Sequence, residues 1–240
     1  MSTTSAPTAP TTVIPTAAAH AAPGASPLRM AAGLALVAFP VLFTAGIATS
    51  PPQASDASRD YVASLGADPT LTALSAGLLH YSWVAFALGV LGIIGLVRGP
   101  RGRVVVPLAA VVSSLSAIQL SGLLLYDFFI SAAANTVPLD QATTIFDTTV
   151  ADPWVATWLV SGRLVGFVGI PLVVAALARA GVVSWWLLLA PVIGFASFVV
   201  PVPFAILVGM FVSTAPMIVV GVRLVQRASA RVRREELAAA

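Results

Sequence analysis

The chain of 240 residues contains no cysteine and no lysine, only two histidines, and just 9% charged side chains. Without cysteine there is no disulfide framework, thiolate metal site, CxxC redox pair or cysteine nucleophile. Soluble domains carry about a quarter charged residues, so a solvated globular coat is excluded as well. A single histidine within the apolar region, His80, cannot supply two axial haem ligands. No His, Asp or Glu cluster has metal-site spacing, and His20 stands alone near the N-terminus. There is no Walker loop and no GxSxG, and Ser161 with His80 lacks a third triad member and oxyanion donors. The expectation is therefore a non-enzymatic protein with no cofactor and no metal. All twelve basic residues are arginines, which points to GC-rich coding and not to a nucleic-acid partner.

What is present is apolar: 58% of residues are hydrophobic and the mean hydropathy is +0.98. Disordered chains are poor in Leu, Ile, Val and Phe, so most of this chain is ordered. A helix needs about 20 largely apolar residues to cross a bilayer. Six stretches meet that length, at roughly 31–49, 73–97, 104–126, 154–178, 183–200 and 204–222, and none contains an acidic residue. In lipid the backbone must satisfy its own hydrogen bonds, and these runs lack the alternation of barrel strands. The expected fold is all-α, a polytopic bundle of six transmembrane helices in three hairpins.

Arginines give the direction. Arg29, Arg98, Arg101, Arg103, Arg179, Arg223, Arg227, Arg231, Arg233 and Arg234 fall on one side of that topology, against Arg59 alone on the other. The positive-inside rule then puts both termini in the cytoplasm of a multi-pass plasma-membrane protein. Residues 1–28, rich in Ala, Thr and Pro, read as a flexible cytoplasmic tail. Residues 29–225 hold the spans and 226–240 form a basic cytoplasmic tail. Cleavage after a signal-like segment at 29–48 is disfavoured by its long apolar stretch and nearly uncharged leader.

The two long outer connections align without a gap, Ser55–Pro69 on Leu139–Pro153. Asp56 matches Asp140, Ala67-Asp68-Pro69 matches Ala151-Asp152-Pro153, and Tyr61-Val62 falls on Ile145-Phe146. Asp followed by Pro supplies an N-cap oxygen and a first-turn residue held at helical φ, so each pair starts a span. Short helices are expected upstream, one ended by Gly66 and one over 140–149, with their apolar pairs resting on the membrane surface. The match points to a repeated unit of span, interfacial helix and span, used twice, with a third hairpin shortened to Pro201-Val202-Pro203; the alternative is convergent use of Asp-Pro as a helix start.

Ionisable groups at membrane depth are costly. At 1.5 Å per residue, His80 lies roughly 10 Å below the outer boundary, Gln119 about 12 Å and Arg163 about 14 Å. Asp127 sits at the end of the third span. Because helical side chains tilt toward their own N-terminus, Arg163 and Asp127 lean toward one layer, where a pair is expected. Small residues on the His80 face, and the Gly162–Gly166 spacing around Arg163, point to helix contacts. His80, Gln119, Asp127 and Arg163 are thus candidates for a ligand-binding polar pocket. The other reading makes the same groups polar glue between helices. Arg223, Arg227, Arg231 and Arg234 form a stripe suited to lipid headgroups.

Phe39-Pro40, Leu78-Leu79-His80 and the Gly89, Gly92, Gly95 run before an Arg-rich turn resemble features of six-helix integral membrane proteins of GC-rich bacteria. The resemblance spans about 30–225. It implies a membrane location and no particular biochemical role. Two functions remain open: a transporter-like or ligand-sensing protein with a small outer-facing pocket, or an accessory subunit packing on another membrane protein or a copy of itself.

Overall fold

In a computed structural model, residues 25–97, 99–197 and 203–239 are described. Residues 1–24, among them His20, together with Arg98, residues 198–202 and Ala240 lie outside them. The described chain is helical, with no strand. The helices are α1 (Ala25–Ala48), α2 (Ser58–Ala67), α3 (Pro69–Gly92), α4 (Val105–Thr136), α5 (Leu139–Ala151), α6 (Pro153–Arg179), α7 (Leu189–Ala196), α8 (Pro203–Thr214) and α9 (Pro216–Ala239). Tighter 3₁₀ turns occupy Ile93–Leu96, Pro100–Gly102 and Trp185–Leu188.

Five described stretches are long and apolar enough to cross a membrane: Pro27–Ala48, Pro69–Leu96, Pro100–Thr136, Pro153–Arg179 and Phe204–Arg234. The shortest has 22 residues, about 33 Å of helix against a hydrocarbon core of about 30 Å. The expected span over 183–200 is represented by Trp185–Ala196, twelve residues, and 198–200 lie outside the described residues. A glycine-centred cap ends α6 before it: Gly181 adopts φ 70°, and Val182 N–H donates to the Leu177 carbonyl at 2.9 Å. Only a residue without Cβ enters that left-handed region at little cost.

Neighbours follow chain order only in part. α1 packs on both α3 and α9, α3 on α4, α4 on α6, and α7 on α8. The α1–α9 crossing is backbone on backbone at Gly33 and Gly221. A Cβ on Gly33 would lie 2.7 Å from the Gly221 carbonyl oxygen. Between α1 and α3 an aromatic cluster fills the centre, with Phe39 4.8 Å from Phe86 and 5.3 Å from Trp83 between ring centroids. Buried serines stitch neighbouring helices: Ser75 donates to the Gly46 carbonyl, Ser114 to Ala87 and Ser113 to Gly169, at 2.9, 3.1 and 3.1 Å. Such bonds in lipid average about 0.6 kcal/mol.

The Asp-Pro starts are as expected. Asp68 Oδ1 accepts from Leu71 N–H at 2.9 Å, and Asp152 Oδ1 accepts from Trp154 and Val155 N–H at 2.9 and 3.2 Å. The third span differs. Its helix does not stop near 126 but runs on to Thr136, and this extension is the floor of a small cap. There α2 and α5 close over α4 around Val62, Leu65, Ile130 and Ala142. The apolar pairs expected to rest on the membrane turn inward instead: Val62 is fully buried and the Tyr61 ring packs tilted against Phe146, while Ile145 stays exposed. Burial against a helix extension satisfies the same amphipathic pattern as burial in lipid. The 225 boundary also falls inside α9, one helix through the basic segment.

Side chains from two other helices hold the C-terminus of α2. The Leu65 carbonyl accepts from Thr72 and Ser131 hydroxyls at 2.9 and 2.8 Å, and the Gly66 carbonyl accepts from Asn135 Nδ2 at 3.2 Å. These are the carbonyls a helix end leaves unsatisfied.

Candidate functional site

The polar groups singled out above lie on three helices, His80 on α3, Gln119 and Asp127 on α4, and Arg163 on α6. His80, half-buried on α3, brings Nδ1 to 2.8 Å from Ser121 Oγ and 3.1 Å from the Ser121 carbonyl. An Nδ1–H tautomer donates to that carbonyl, and the other tautomer accepts from the hydroxyl. Gln119, two residues before Ser121 on α4, accepts at Oε1 from the Ser161 hydroxyl at 2.7 Å. Ser161 and His80 are thus each engaged with a different residue of α4.

Asp127 meets a partner that the sequence did not point to. Tyr61 of α2 donates its hydroxyl to Asp127 Oδ1 at 2.5 Å across 66 residues of chain. Burial, and then the negative charge of Asp127, push the Tyr61 phenol well above the usual tyrosine range, so Tyr61 remains a proton donor. Its ring contacts Phe146 at 5.3 Å, and Phe146 stacks in turn on Tyr126 at 6.2 Å. The Tyr126 hydroxyl is buried with no partner among the described residues. Arg59 and Asp140 form an exposed ion pair that ties α2 to α5.

Arg163 behaves differently. Its neighbour Gly162 is buried against Leu123 and Gln119 of α4, while Arg163 itself is exposed. The expected Arg163–Asp127 pair does not form: no ion pair joins Arg163 to a described acidic side chain. The guanidinium is near enough for its charge to act on both Tyr61 and Asp127. On either side along the helix Val160 and Val168 are also exposed, at 56% and 55%.

The structure thus gives His80, Gln119 and Asp127 each a hydrogen-bond partner inside the protein, with Asp127 about two turns beyond Gln119 along α4, and leaves Arg163 on the surface of α6. An apolar crevice elsewhere in the bundle lies between Phe43, Trp83, Phe167, Pro191 and Met210, reached also by Ser213 and Thr214. Among the arginines of the C-terminal stripe, Arg227 donates from Nη1 to the Leu96 carbonyl at 2.5 Å, and Arg231 is half-buried with a partner of its own. Arg223 and Arg234 are exposed.

Compared with protein-family models, curated proteins and solved structures, the chain matches none. The helices establish a protein compatible with multiple membrane crossings. What it does there is a matter of the site alone.

Proposed function

We propose that the chain is an accessory subunit of a membrane assembly that docks on a different membrane protein through the α6 face carrying Arg163. One observation supports this reading above the others: a guanidinium on a membrane-spanning helix, exposed one turn from the exposed Val160, whose charge reaches Asp127 without an ion pair forming. A charge at membrane depth faces a bundle interior, water or a partner far more often than lipid. A carboxylate on a neighbouring helix would neutralise it. A two-fold contact centred on Arg163 would set like charges together, which favours a different chain over a second copy.

The pocket reading draws less support. His80, Gln119 and Asp127 each have an internal partner within hydrogen-bond distance, the arrangement expected of polar glue between helices. By the positive-inside rule the cap faces outward and the arginine-rich turns face the cytoplasm.

The absence of cysteine makes the test direct. A single cysteine at Val160 carries a photo-crosslinker in native membranes. The expected result is one crosslinked membrane protein that co-purifies in stoichiometric amount and is lost in Arg163→Glu. A chain that purifies without a partner, with Arg163→Glu indistinguishable from wild type, overturns the proposal. A ligand pocket would instead reveal itself if Arg163→Gln and His80→Ala each altered uptake or release of a substrate.

A further inference from the structure

At the opposite end from the cap, two arginines from different connections come together. The turn at Pro100–Gly102 docks on the end of α6 through Gly102, where a Cβ would lie 2.6 Å from the Ala180 Cβ. Only a glycine allows that approach, and it sets Arg101 beside Arg179. Together with Ala178, Ala180, Gly181 and Trp185 they line a depression of about 370 Å³. Gly181, in its left-handed conformation, has nothing within 4 Å of where a Cβ would stand, so the floor is open. Neither arginine is ion-paired to a described acidic residue. All seven aspartates belong to the other end, on or beside α2, α5 and the last turns of α4.

The depression sits at a particular height. Arg179 is the last residue of one membrane-length stretch and Arg101 the second of another. Trp185 and Trp186 are 57% and 78% exposed, as aromatic residues at a headgroup boundary are. From Trp185 the chain continues into α7, whose Leu189, Val192 and Ile193 are exposed apolar side chains. A ligand here meets two guanidinium groups, then an indole, then an apolar helix face.

We propose that this depression binds the phosphate of an anionic phospholipid, with Arg101 and Arg179 on the phosphate oxygens, Trp185 against the glycerol and the acyl chains along α7. Guanidinium forks match phosphate oxygens in pairs, and basic pockets between spans hold anionic headgroups. A free anion would use the arginines but not the apolar face below them.

The test uses the full chain in detergent, titrated with dihexanoyl phosphatidylglycerol, dihexanoyl phosphatidylcholine or inorganic phosphate, and reads thermal stability and tryptophan fluorescence. Phosphatidylglycerol gives a saturable shift and phosphatidylcholine does not. Arg101→Gln and Arg179→Gln each weaken that response about five-fold and the double variant about 25-fold. Arg103→Gln, in a separate cleft with Val97 and Pro107, leaves it within about two-fold. If the double variant does not fold, the two single variants carry the comparison. An unchanged response in the arginine variants, or an equal response to phosphatidylcholine, overturns the proposal. Inorganic phosphate matching phosphatidylglycerol also overturns it, by making the site one for a free anion.

Discussion

Gly33 and Gly221 face each other so closely that a Cβ on either would stand within 2.7 Å of the other's carbonyl oxygen. The α1–α9 contact therefore depends on two missing side chains, the small-residue device of membrane helix pairs.

Gly221→Ala should separate these helices. The obstructing atom is backbone, which cannot rotate away, so a loss of about 1–3 kcal/mol is expected, as for overpacking in general. Gly77→Ala, where nothing lies within 4 Å, is the matched control and should be neutral or slightly stabilising through helix propensity. Thermal unfolding of both variants in detergent checks the contrast.

Tyr61→Phe should destabilise the cap by about 1–3 kcal/mol, the cost of leaving a buried acceptor unsatisfied. Combined with Asp127→Asn it should cost less than the sum of the two single changes, and the double-mutant cycle measures that coupling. Additive losses would mean that the pair does not interact.

The same hydroxyl predicts a pH dependence at the alkaline end. The phenol is held above its unfolded value of about 10. Above that pH the unfolded chain binds fewer protons than the folded one, so stability falls as pH rises. Below it the contribution is fully present. Tyr61→Phe should flatten the stability profile above about pH 10, which denaturant titrations of both proteins measure.

Asp68→Ala and Asp152→Ala should have matching effects, each losing about 0.5–2 kcal/mol, because each aspartate caps the helix that follows its proline. Unfolding of the two single variants compares them. A large effect at one and none at the other would separate the two Asp-Pro units functionally.

Much of the architecture was legible because crossing a bilayer is a matter of composition over about 20 residues. The Asp-Pro starts were legible too, since their chemistry lies within three residues. Asp127 was not. An acidic residue at the end of an apolar run reads as a boundary, but the Tyr61 hydroxyl, 66 residues away, lets the helix continue past it. Depth along a helix can be counted, whereas the direction in which Asp127 and Arg163 point depends on which neighbours cover α4 and α6. Similarly, the inward faces of α2 and α5 follow from the length of α4 beyond 126, which no local pattern announces. His80 and Gln119 were found by their cost in lipid, while their partners Ser121 and Ser161 are too common in such helices to stand out.

One unbroken α4 both crosses the bundle and forms the cap's floor. At 32 residues it is about 48 Å long. Tilting this rod by about 5° about its arginine-rich end carries the cap sideways by roughly 4 Å, on the same helix length. The Leu65 and Gly66 carbonyls tether α2 to that end through Ser131 and Asn135, so any tilt of α4 carries α2 with it.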